Sequence, residues 1–313
     1  MPPHTLPVIA VIGATGQQGG SVLRALQADG RFRVRALTRN PDKHPGLADE
    51  VAAADLNRPE TLKAAFAGAH GVFMVTDFQD KGGTGEIAQG TAAVHAARDA
   101  GVDHFIWSTL PDVQAISNGH FDVGHFTNKS KVDAAVSGAG FAHHTFVMPP
   151  FLFQNLLDAM APQPQADGSK GWALPIDPEA RMIHAGDVND LGPLVAGAFT
   201  KPDVAGNGQY LPLVGQLLSF GDIVATLNAQ GHAYSYRQVP AEEFATFFPG
   251  AREFAAMFGY FQAHSYLGEN REDAILLARR VAGVMPADFA TWARSNMPPL
   301  PAGHAAIELM AAR

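Results

Sequence analysis

The chain has 313 residues, a formal net charge of −8 and no cysteine; 47% of its residues are hydrophobic and 17% charged. That composition supports a large buried core and excludes disorder, disulfides, thiolate catalysis and Cys-ligated metals. The acidic balance, with no Lys/Arg run, lacks the electrostatic footprint of a nucleic-acid binder, and the apolar run Val8–Ile12 is too short to span a bilayer.

The opening Met1-Pro2-Pro3-His4-Thr5-Leu6-Pro7 has no basic stretch, which together with the missing cysteine points to the cytoplasm. Val8–Ile12 is predicted as a strand, Gly13–Gly19 as a turn and Gly20–Ala28 as a helix. Strands follow at Arg33–Thr38, Val51–Asp55 and Gly71–Thr76, with a helix over Pro59–Ala67. A helix from Glu86 to Ala100, a strand at His104–Ser108, a helix containing Lys131–Ser137 and a strand at His144–Met148 complete the first half. Apolar strands alternating with helices indicate a parallel sheet covered on both faces.

After Pro149-Pro150 the pattern changes. Pro162–Pro178 reads as a surface wrap and Arg181–Ala185 as a late strand returning to the sheet. Asp187–Phe199 reads as a helix opened by a capping aspartate, and Gln209–Val214 as a strand. Ser219 caps a helix to about Gln230, and His232–Val239 alternates like a strand. From Ala241 onward the segments read as helices with clustered phenylalanines, and the tail after Pro301 as a loosely tied extension. The expected organisation is a body over residues 1–150, rejoined by elements from 181–200, and a smaller lobe over 151–313.

The sharpest motif is Gly13-Ala14-Thr15-Gly16-Gln17-Gln18-Gly19, a G-x-x-G-x-x-G turn between a strand and a helix. Gly13 permits the tight turn, Gly16 lets backbone approach a pyrophosphate, and Gly19 lets the helix pack closely. The helix start offers free N–H groups and a positive dipole end to phosphates. The motif therefore predicts a dinucleotide site. An NAD enzyme usually carries an acid at the end of the second strand, to bond the ribose 2′-OH. This chain reads Leu37-Thr38-Arg39-Asn40-Pro41-Asp42-Lys43 there. Arg39 can clamp a 2′-phosphate bidentately, with Thr38 or Asn40 adding hydrogen bonds and Lys43 helping, so the expected cofactor is NADP(H). Asp55 either accepts from the adenine amino group or serves as a loop aspartate.

These residues resemble the NmrA-like atypical short-chain dehydrogenases. The similarity is carried by Gly13 to Val22, by Val34-Arg35-Ala36-Leu37-Thr38-Arg39-Asn40-Pro41 and by Phe73-Met74-Val75-Thr76. It continues through His125-Phe126-Thr127-Asn128-Lys129, the stretch from Pro150 to Leu157, Asp190-Leu191-Gly192-Pro193 and Pro249-Gly250-Ala251-Arg252-Glu253. The pattern looks closest to the HSCARG-like branch and runs from Val8 to about Asn296. The resemblance implies a Rossmann-type doubly wound parallel sheet with a smaller, mostly helical α+β C-terminal lobe. It also implies an NADP(H) site in the cleft, with Thr76, Thr109, Lys129, Phe151 and Asn155 on its nicotinamide side. Members of the family include regulators that sense the dinucleotide redox state; relatives in the wider group transfer hydride.

Ordinary short-chain dehydrogenases use Tyr-x-x-x-Lys, and here His125 takes the tyrosine position before Lys129. Lys129 can hold the nicotinamide ribose. His125 is either a proton donor near neutral pH or a polar anchor at a helix start. Ser108 or Thr109 sits where the family's hydroxyl approaches the nicotinamide. His143-His144 point to opposite faces of a strand, no His-Glu-x-x-His or Gly-x-Ser-x-Gly occurs, and no metal site is expected. Phe78, Phe121, Phe151, Phe153, Phe254 and Phe258 are candidate walls for an apolar or aromatic substrate or effector. Two readings stay open. The favoured one is a dinucleotide redox sensor with a regulatory protein partner; the other is an NADPH-dependent reductase of a quinone, carbonyl, imine or other conjugated compound. Oligomeric state is left open.

Overall fold

In a computed structural model of the chain, the described residues are 6–78, 85–268 and 271–299. The expectation for the tail after Pro301 falls outside them. The strands β1 (Val8–Ile12), β2 (Arg33–Thr38), β3 (Glu50–Ala53), β4 (Gly71–Met74), β5 (His104–Ser108) and β6 (His143–Met148) lie in one sheet, which Asn207–Pro212 completes. From that edge inward the order is Asn207–Pro212, β6, β5, β4, β1, β2, β3, and every neighbouring pair is parallel. β4 and β5 are buried along their whole length, as strands covered on both faces must be. The chain's progression reverses between β1 and β4, and a crevice opens at the carboxyl ends of those strands.

Helix α1 (Gln17–Asp29) packs one face of the sheet. On the other face lie α2 (Leu62–Phe66), α3 (Glu86–Asp99) and, beyond the short α4 (Val113–Ile116), α5 (Gly124–Gly138). Helix α6 (Leu191–Thr200) and the helix Glu272–Ala282 join α1 on its face. The α1–α6 approach is so close that a Cβ on Gly192 would lie 2.4 Å from the Ser21 carbonyl oxygen. The Ser21 hydroxyl bridges the pair, donating to the Asn189 carbonyl and accepting from the Gly192 N–H, each at 3.0 Å.

Two segments differ from the sequence reading. The late strand, observed at Ile183–Gly186, does not rejoin the main sheet; it pairs with Phe151–Leu152 and Gln216–Leu218 in a separate three-stranded sheet. A parallel return needs its crossover helix first, and α6 comes after this strand. The strand that α6 delivers to β6 is Asn207–Pro212. Within the expected surface wrap, Lys170–Leu174 is a strand with Trp172 and Leu174 buried, paired with Tyr234–Gln238. Its polar, glycine-rich flanks hid it. Gly171 is required there, because a Cβ would sit 1.9 Å from the Ser235 carbonyl oxygen.

The smaller lobe is built on aromatic rings. Phe153 packs on Phe289 and Trp292, and Phe258 on Phe220, Phe244 and Phe261. Phe220–Ala229 begins with a full capping box in which Ser219 and Asp222 bond each other's backbone. Among the described residues no helix is long and apolar enough to cross a membrane.

His104 in β5 is almost fully buried. The Thr145 hydroxyl donates to the Ala205 carbonyl at 2.8 Å, so it accepts from His104 Nε2–H at 2.9 Å, and buried Nδ1 is left bare. Burial, helped by the neighbouring histidines, holds the imidazole down at about 3. Stability from the neutral ring is therefore full above the ordinary histidine value near 6.5 and is lost as pH falls towards 3. The melting temperature should drop between pH 7.5 and 5, and His104→Gln, which cannot charge, should drop less. Parallel thermal melts check this; equal slopes would remove His104 as the cause.

Candidate functional site

The glycine turn leaves β1 with Gly13 at φ +71° and closes through a Gly16 N–H to Gly13 carbonyl bond of 2.8 Å. A Cβ on Gly19 would lie 2.2 Å from that same carbonyl oxygen, so only glycine lets α1 start this near the strand. The helix begins at Gln17, three residues before its expected start, with Gly16 as an extended N-cap and no acidic residue in its first turn. Its free N–H groups and dipole are thus open to an anion.

The turn forms one end of a cleft of about 850 Å³. Gly13, Thr15, Gly16, Gln17, Gln18, Gly19, Arg39, Asp55, Thr76, His125, Lys129, Phe151 and Asn155 all line it. Arg39 is exposed at its edge, just past β2, and forms no ion pair among the described residues. By contrast, Arg33 and Arg35 on the same strand both pair with Glu50. Asp55 turns its carboxylate onto the Asn57 N–H at 3.0 Å, the loop role weighed for it.

Two expected contributors lie elsewhere. Lys43 is on the exposed turn Pro41–Lys43 and does not line the cleft. Thr109 is fully buried, its hydroxyl committed to Asp133 at 2.8 Å. Burial pushes Asp133 up to about 7 despite hydrogen bonds from Thr109 and Tyr210. The Ser108 hydroxyl instead donates to the Gln18 side chain at 2.7 Å, tying the end of β5 to the glycine turn. Of the predicted aromatic walls, Phe78, Phe151 and Phe254 line the cleft, while Phe121, Phe153 and Phe258 do not.

Lys129 is buried at the cleft floor. Its ammonium donates to the Thr76 carbonyl and hydroxyl, both at 2.9 Å, and to Glu86 Oε1 at 2.5 Å. The Thr76 hydroxyl donates to the same carboxylate oxygen at 2.8 Å. Burial pushes the ammonium down, and the charge and hydrogen bond of Glu86 only partly offset this. Glu86 opens α3, and its second oxygen is buried without a hydrogen-bond partner among the described residues.

His125 lies one turn before Lys129, with its side chain 11% exposed. Its Nδ1 bonds Glu253 Oε1 at 2.7 Å, and that oxygen also accepts from the His125 backbone N–H at 3.1 Å. The ring stacks on Phe78 at 5.0 Å between centroids and leans on Phe254 at 5.8 Å. Burial raises Glu253, but its hydrogen bonds from His125 outweigh this and hold the carboxyl below its ordinary value. Neither Glu86 nor Glu253 was assigned a role from sequence. Glu253 belongs to a motif already noted, but its partner is 128 positions away.

Removing one member of a buried ion pair leaves the other uncompensated, at a cost of about 3–5 kcal/mol. Lys129→Met should therefore lower the melting temperature markedly, and adding Glu86→Gln should recover much of the loss. Melts of both variants check this; a double variant no better than the single one would contradict it.

The pattern of the NmrA-like family matches residues 6–285. The NmrA-like family domain-containing oxidoreductase FrzB of Cladobotryum sp is 33% identical over 242 residues, covering 70% of this chain and 71% of that protein. An NAD(P)H azoreductase of Xenophilus azovorans is 31% identical over 242 residues, covering 75% of this chain and 78% of the relative. In three dimensions the chain is similar to NmrA, a negative transcriptional regulator, at a TM-score of 0.75 and 25% identity, with 93% and 95% of the two chains covered. That regulator has been solved in complex with NADP and with NAD. The matches do not single out the HSCARG-like branch. By its sequence along nearly its whole length, the chain belongs to the NmrA-like family.

Proposed function

We propose that this protein binds NADP(H) along the cleft and reduces a conjugated, apolar acceptor at its aromatic end. One observation carries the reading. A single cleft runs from an anion-receptive helix start and an unpaired arginine to an apolar end containing His125. The group fits the residues present. The glycine turn and the Gln17 and Gln18 N–H groups would hold the pyrophosphate, and Arg39 with Thr38 the 2′-phosphate. Leu56 and Asn57 also line the cleft and would take the adenosine side; Gln89 fixes Asn57 by a 2.9 Å hydrogen bond. Phe151 and Asn155 would take the nicotinamide end. When bound, NADPH supplies a hydride. The protein's part is to orient it and to exclude water with Phe78, Phe151, Phe254 and Met257. The oxidoreductase and azoreductase names among the relatives agree with this chemistry.

A second reading, a dinucleotide sensor, is favoured by the Lys129 site. The ammonium that would hold the ribose is already satisfied by Glu86 and Thr76. A protein that only reports the dinucleotide state needs no free lysine, and the regulator NmrA is similar in fold.

Arg39→Glu should weaken NADPH binding by about tenfold or more while leaving NADH binding nearly unchanged, since a charge-assisted bidentate contact is worth about 1.5–3 kcal/mol. Fluorescence titration with both nucleotides checks this, and equal losses would remove the 2′-phosphate role. NADPH consumption should be seen with quinones or azo dyes. Tight binding with no turnover across quinones, aldehydes, imines and azo dyes would favour the sensor.

A further inference from the structure

The histidine at the apolar end is held in an unusual way. Its ring stacks on Phe78, is tilted against Phe254 and meets Phe126 edge to face. Its Nδ1 is taken by Glu253, which reaches it from the start of the helix Ala251–His264 in the other lobe. His125 lines the cleft, and its Nε2 has no hydrogen-bond partner among the described residues. A polar anchor would need neither a carboxylate on its far nitrogen nor two aromatic walls. A proton donor benefits from both. The carboxylate fixes the tautomer and the orientation of the ring, and the aromatic neighbours hold the imidazole in place.

We propose that His125 and Glu253 form a proton-delivering pair, in which His125 Nε2–H protonates the acceptor and Glu253 positions the imidazole. The inference rests on the reductase reading above and adds to it the second half of the reaction. A conjugated X=Y acceptor takes a hydride at one atom from the bound NADPH. The electron pair of the X=Y bond moves to the other atom, which takes the proton from Nε2. The product is HX–YH, NADP⁺ is left, and the imidazole regains its proton from solvent. The fitting substrate class is a flat, uncharged molecule with a basic terminal atom, such as an azo compound, imine or quinone. The charged groups around the ring are Glu253 in contact, Lys129 one turn along and already paired with Glu86, and Asp77 lining the same cleft.

The test has two readouts. The first needs no cofactor: the 15N NMR spectrum of the His125 ring in the full chain at one fixed pH. With Nδ1–H bonded to Glu253, Glu253→Gln should shift the ring 15N resonances away from the wild-type pattern, and Glu253→Asp should restore part of it. An unchanged ring spectrum overturns the role of Glu253. The second is NADPH oxidation with an azo dye or a naphthoquinone, with NADPH affinity measured alongside. His125→Gln, similar in polarity but unable to deliver a proton, should lose about 10²-fold in kcat with affinity kept. Turnover by the wild type with an unaffected His125→Gln overturns the pair alone. No turnover by the wild type, with NADPH still bound, overturns the reductase reading and the pair together.

Discussion

The contact on which the site depends is the approach of Gly19 to the Gly13 carbonyl. A methyl group there would overlap the oxygen by more than an ångström of ordinary contact distance. Without that approach α1 would begin farther from β1, and its first N–H groups would point away from the crevice between β1 and β4. The ring of constraints continues outward. Ser108 holds Gln18 at the mouth of the turn, and α6 lies so near α1 that Gly192 meets the Ser21 backbone. The phosphate-receptive end is thus fixed by backbone packing, which side-chain motion cannot loosen.

The other end is fixed by charge. Lys129 and Glu86 tie α5 to α3 beneath the cleft, and Thr76 joins them to the end of β4. Glu253 crosses from the smaller lobe to cap the start of α5 and hold His125. In its low-dielectric setting the Lys129–Glu86 pair is costly to break singly, so it specifies geometry more than it adds stability. The two ends meet in one cleft, yet different physics shapes each.

Much of the architecture was legible in the sequence because a parallel sheet writes itself plainly. β1, β2 and β5 matched their predicted bounds residue for residue, since turn signals bracket each of them. The Ser219 cap and the Asp187 start were readable from local chemistry. Lys170–Leu174 was not, since its strand pairing depends on a partner 64 positions later and its flanks look like loop. The site divided in the same way. The glycine turn and Arg39 are contiguous signals next to a strand. Thr109 looked like a cleft residue by position alone, and its rotation onto Asp133 is a fact of packing that no local pattern records. Glu86 and Glu253 were missed because ion pairs over such separations leave no trace in spacing.

The contrast among the arginines around β2 has a further consequence. Arg33 and Arg35 are bound to Glu50, and Arg35 also donates to the Ala65 and Ala67 carbonyls, so they hold the sheet edge together. Arg39 makes no ion pair or side-chain hydrogen bond among the described residues. A side chain outside the packing network can be exchanged with almost no penalty to folding. The residue proposed to choose between the two dinucleotides is thus one the scaffold can spare. On that proposal, nucleotide preference would be an evolvable trait, separable from the stability of the fold that displays it.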